Sequence, residues 1–116
     1  MTVIKRDRSG SVYITDDVLS AIAGTAALEA EGVMGIFGQT PETSKRGIRK
    51  AMSKCIDVTV KGNDVAVTLI IKARMGSKIN EVCAVVQRKV KDAIETMTGL
   101  NAAEVNVTVG SITSEA

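Results

Sequence analysis

Polar and apolar positions alternate most cleanly between residues 55 and 74. Ile56, Val58 and Val60 share one face of a strand, with Asp57, Thr59 and Lys61 on the other. Gly62-Asn63 then supplies a two-residue turn. Alternation resumes with Val65, Val67, Leu69, Ile71 and Ala73 on one face and Ala66, Thr68, Ile70, Lys72 and Arg74 on the other. The pattern predicts a β-hairpin. After Met75-Gly76-Ser77, where Ser77 is placed to cap a helix, the period lengthens. Ile79, Val82, Cys83, Val86, Val90, Ala93 or Ile94, and Met97 form one stripe, which predicts a helix over 78–97 ended by Gly99. Val105, Val107 and Val109 alternate with Asn106 and Thr108 in a last strand over 104–110.

The first half is less regular. Ser11 to Thr15 reads as a short strand. Thr15, Asp16 and Asp17 open a helix as cap and first-turn carboxylates. Leu19, Ile22, Ala23, Ala26 and Ala30 make its stripe, and Gly32 is placed to end it. Val33 to Phe37 reads as a short strand or an apolar loop, while Gly35, Gly38 and the sole proline, Pro41, argue for irregular chain over 33–44. Residues 45–54 are basic and can carry a short helix. The order is therefore β-α-β-β-α-β plus a short basic segment. The expected class is α+β: a two-layer sandwich of a mixed four-stranded sheet with two main helices on one face. The last helix links two parallel strands by a right-handed crossover. Residues 1–9 are expected as a loose N-terminal arm, 10–112 as a single domain and 113–116 as a C-terminal tail.

At 116 residues, about two-thirds of the unfolded surface can be buried, so a core needs no disulfide or metal. Tyr13 and Phe37 are the only aromatics, so the core is aliphatic and stacking platforms for bases are scarce. A net charge of +2 is too weak to draw the whole molecule onto nucleic acid. The absence of histidine excludes histidine-based acid-base chemistry and histidine metal ligands. No apolar run reaches the roughly 18 residues of a membrane span, and no apolar stretch follows the charged start. These features predict a soluble intracellular protein without catalytic machinery, cofactor or metal.

The segment S-G-S-V-Y-I-T-D-D-V-L-S-A-I-A-G-T-A-A-L-E-A-E-G-V-M-G-I resembles the opening of the alkaline shock protein family. The pieces I-A-G-T-A-A, E-G-V-M-G, M-T-G-L and E-V-N-V-T-V follow in the family's order, and the resemblance covers about residues 10–112. It implies a non-enzymatic bacterial cytoplasmic protein of the cell-envelope stress response. Some members are held at the inner membrane face by a small membrane-anchoring partner. A subgroup is connected with control of acetyl-CoA carboxylase, and hence of fatty-acid synthesis. The family supplies no catalytic or ligand residues. Members often carry a longer glycine-rich linker where this chain has S-K-R-G-I-R-K-A-M-S-K.

Two surfaces are candidates for recognition. Lys45, Arg46, Arg49, Lys50 and Lys54 form a basic stretch suited to phosphates or an acidic partner, or simply a solvated face. Ile70, Ala26 and Ala30 form a candidate self-association surface. An RNA-binding module using residues 45–54 is the rival function; DNA is not an expected partner. Three other features read more simply as structure. G-V-M-G at 32–35 and G-I-F-G at 35–38 carry apolar pairs where a phosphate-gripping loop carries cations. Cys55 and Cys83 are expected as reduced small hydrophobes. Asp16 and Asp17 offset a helix dipole.

Overall fold

The computed structural model describes residues 2–36 and 56–114. Strands β1 (Thr2–Asp7) and β2 (Gly10–Ile14) lead into helix α1 (Asp16–Leu28), and strand β3 (Val33–Ile36) follows. The second half contains β4 (Ile56–Lys61), β5 (Asp64–Arg74), helix α2 (Ile79–Thr98) and β6 (Asn101–Thr113). The class is the expected one: α+β, with a mixed four-stranded sheet and two helices among the described residues.

The fourth strand of that sheet is not the one the sequence suggested. Residues 11–15 were expected to join it. Instead β2 pairs antiparallel with β1 as a separate two-stranded sheet, and β3 takes the fourth place. Residues 2–7, expected as a loose arm, are therefore a strand. Ile4 and Ile14 pack against the main core, which anchors this hairpin. At its tip, Ser9 donates from Oγ and backbone N to Asp7 Oδ1 at 2.6 and 2.8 Å. Those bonds hold the Asp7 carboxyl below the usual carboxylate range.

Strand β5 organises the main sheet. It pairs in parallel with β6 along its whole length, Asp64 to Arg74. Its other edge is shared end to end: β4 pairs antiparallel with Asp64–Leu69, and β3 with Ile71–Ala73. Val65, Val67, Leu69, Ile71 and Ala73 are all fully buried on one face of β5. Leu19, Ala23 and Ala27 from α1, and Val86, Val90 and Ile94 from α2, meet them there. The Ala-rich stripe of α1 lets that helix approach closely, as its composition requires. Ser20, also buried, donates from Oγ to Ile56 O at 3.4 Å, tying α1 to the start of β4.

The helix ends follow local chemistry with two corrections. Thr15 caps α1, its Oγ1 accepting from Val18 N at 3.3 Å. Thr15→Ala should cost about 1 kcal/mol, read as a lower urea midpoint at unchanged slope. The first helix stops at Leu28 rather than reaching Glu31. Glu29 N and Ala30 N turn to Ala26 O and Ala27 O, tightening the last turn before Gly32. Ser77 does not cap α2; its hydroxyl turns back to the Arg74 carbonyl, and Lys78 is the N-cap without a side-chain bond.

Candidate interaction surfaces

The alternation of β5 sends Ala66, Thr68, Ile70 and Lys72 to the face opposite the helices. Register puts Asp57 and Thr59 of β4 on one side of them, and Glu104, Asn106 and Thr108 of β6 on the other. This open face is polar, with Asn106 Nδ2 donating to Thr68 Oγ1 at 3.5 Å. Ile70 lies half-buried beside Thr108 as a large apolar side chain in polar company.

The other two residues of the expected self-association surface are elsewhere. Ala26 is 5% exposed and Ala30 3%; both belong to the core cluster, and Ala26 also borders the groove between the two helices. The structure does not join them to Ile70: they lie in the helix layer, and Ile70 points away from it. The small residues of α1 serve close packing within the chain. Sequence periodicity marks a stripe but does not say what covers it.

What the stripe does leave is a shallow groove of about 300 Å³ between the helices, lined by Val18, Ile22 and Thr25 of α1 and by Ala93 and Met97 of α2. Met97, expected in the core stripe, is 66% exposed at its rim. Burial on α2 recurs every four residues, at Val82, Val86, Val90, Ile94 and Thr98, which leaves Met97 on the flank of the stripe. Ile94 and Thr98 face inward in its stead.

A second cleft of about 300 Å³ lies at the start of α2. Glu31 and Glu81 line it together with Arg74 and Lys78, so its charges balance. Its floor is Gly32, whose φ of +94° and closeness to Val82 leave no room for a side chain. The G-V-M-G stretch is thus a turn residue followed by β3, with Gly35 opposite Lys72 of β5. It is not a loop presented to a ligand.

Among the described residues, no group of three or more Cys, Asp or Glu side chains stands close enough to hold a metal ion. Cys83 is half-buried on α2, and burial pushes its thiol up from the usual range. Its alkylation by iodoacetamide at pH 7 should run several-fold slower than that of free cysteine, and should accelerate only at higher pH. A rate equal to free cysteine would contradict that burial. Lys45, Arg46, Arg49, Lys50, Lys54 and Cys55 lie outside the described residues.

The arrangement offers shallow faces, an interhelical groove and a long strand edge. The sequence pattern of the alkaline shock protein 23 family, described as having a cell envelope-related function, matches residues 5–114. The chain belongs to this family. Two relatives are similar to this alkaline shock family member over nearly their whole length. The uncharacterized protein Spy1614 of Streptococcus pyogenes is 30% identical, covering 97% of this chain and 95% of its own. The uncharacterized protein YloU of Bacillus subtilis is 29% identical, covering 97% and 96%. Among solved structures, a MamM CTD variant is similar in fold, with a TM-score of 0.59 at 16% identity over 83% of this chain and 94% of that one. A copper form of another MamM CTD variant gives 0.59 at 16% identity over 84% and 98%. At such identity the likeness concerns fold alone.

Proposed function

We infer that this alkaline shock family member is a non-catalytic interaction protein acting in cell-envelope homeostasis. It works by binding copies of itself and a partner protein. The carrying observation is the family match over residues 5–114, whose description is envelope-related. The surfaces agree with recognition. The groove between the helices is shallow, and the cleft at the start of α2 has balanced charges. No histidine is available for general acid-base work.

The reading includes a cytoplasmic location, at the inner membrane face when a small membrane-anchoring protein recruits the chain. No helix among the described residues is long and apolar enough to cross a membrane; in this reading the partner supplies the attachment. A connection to acetyl-CoA carboxylase subunits is the more specific form of the proposal. Affinity capture of the tagged full chain from its native cell tests both. Recovery of a membrane protein supports envelope recruitment, and recovery of carboxylase subunits supports the more specific form. RNA recovered in a steeply salt-sensitive manner, and lost on replacing Lys45, Arg46, Arg49 and Lys50 by alanine, would overturn the reading in favour of RNA binding.

A further inference from the structure

Strand β6 has a neighbour on one side only among the described residues. Its backbone directions follow from the register. Asn101 N donates to Asn63 O, and Thr113 O accepts from Met75 N, so both ends of β6 face β5. One extra residue is inserted after each register shift, Ala103 near the start and Gly110 near the end. Alternation between those bulges turns Glu104, Asn106 and Thr108 toward β5. The N–H and C=O groups of Val105, Val107 and Val109 then point away from the sheet. The Gln87 side chain agrees with that direction, since its Nε2 donates to Val105 O at 3.0 Å from α2.

Natural edge strands are usually blunted by lysine, proline or brevity. This one is thirteen residues long, contains no proline and carries one charge, Glu104. Its bulge-free stretch reads V-N-V-T-V over 105–109, which is nearly the same in both directions. We propose that β6 pairs antiparallel with β6 of a second copy of this chain, about a twofold axis at Val107. Val107 then exchanges both backbone bonds with its counterpart, and Val105 exchanges both with Val109 of the second copy.

The register selects itself. Centring on Val107 sets valine against valine at three positions, all on the helix-covered side. Centring on Val105 would oppose Val107 to Ala103 and Val109 to Asn101. Centring on Val109 would oppose Val107 to Ser111 and Val105 to Thr113. In the favoured register Glu104 meets Gly110, so the acidic side chains do not face each other. The three valines are half-buried in the single chain, whereas their neighbours Val67, Leu69 and Ile71 on β5 are fully buried. Pairing covers the valines' remaining apolar surface. Both helix layers then lie on the same side of one continuous sheet. Five residues of edge pairing make a small interface, so the dimer is weak and concentration-dependent. The twofold pairing is closed, and the Gln87 bond to Val105 O competes with it at one position.

This inference rests on the interaction-protein reading and specifies its self-contact. The test is sedimentation equilibrium of the full chain across a dilution series, with residue-resolved amide exchange on the same samples. Dimer formation should slow exchange at Val105, Val107 and Val109 as concentration rises, and leave Asn106 and Thr108 unchanged. Val107→Lys should weaken dimerisation at least about tenfold. Exchange in the unsubstituted chain decides the matter if that variant fails to fold. A dimer whose three valine amides do not respond to concentration overturns the pairing and leaves self-association through another face. A chain that stays monomeric while still capturing an envelope partner overturns the pairing alone.

Discussion

Replacing Gly32 with alanine should destabilise the domain by about 3 kcal/mol. Two costs add at this position. The backbone φ of +94° is a conformation that side-chain-bearing residues rarely adopt. A Cβ would also stand 2.7 Å from Val82 Cγ2, inside the contact distance of two carbons. Val82 is itself buried on α2, so it cannot swing clear. The two costs can be separated. Gly76 has nearly the same φ, +91°, but a Cβ there meets nothing within 4 Å. Gly76→Ala therefore reports the backbone cost alone. The excess in Gly32→Ala reports the clash, and adding Val82→Ala should recover part of that excess. For a domain of this size the expected fall in thermal midpoint is roughly 10 °C. Equal losses for the two glycine variants would mean that the turn before β3 does not press against α2.

The second large effect is expected at Ile71. Ile71→Ala should cost about 3–4 kcal/mol, a substantial part of a typical domain's margin of about 5–15 kcal/mol. Ile71 is fully buried, and its register partners are Ile36 on β3 and Val109 on β6. A cavity there would open where three strands meet the helix layer, and the rigid neighbours could close little of it. The adjacent residue provides the control. Ile70 points to the opposite face, so Ile70→Ala should cost less than about 1.5 kcal/mol in dilute solution. Chemical denaturation of both variants checks the pair. Equal costs would show that the open face is covered in solution, contrary to the layer assignment.

The elements of the second half were readable because each carries an unbroken period. The hairpin, the long helix and the last strand recur with boundaries within three residues of those expected, since burial on one face dictates the spacing of apolar residues in advance of any contact. The first half was harder. Val33 to Ile36 is too short to show alternation, and its strand character depends on the Arg74 N bond to Gly32 O and on pairing with β5. The β1 residues are largely polar, and they are held by backbone bonds to β2 that leave no mark in hydrophobic spacing. The candidate surface split for a related reason. Ile70 could be read as outward-facing, because the parity of a strand is absolute. Ala26 and Ala30 could not be placed, because a stripe of alanines suits an inner helix face and a docking face equally well.

Local spacing, turn chemistry and family pattern are written along the chain, and they suffice for class, helices, hairpin and the absence of histidine chemistry. Strand order was decided by the assembled molecule: β3 and β4 share one edge of β5, while β6 takes the other and, among the described residues, has no neighbour on its own outer edge. Such outcomes depend on which backbone groups find partners far away in sequence, and backbone groups are the same in every residue but proline. Side-chain periodicity records which face is buried; it holds no record of which edge is paired.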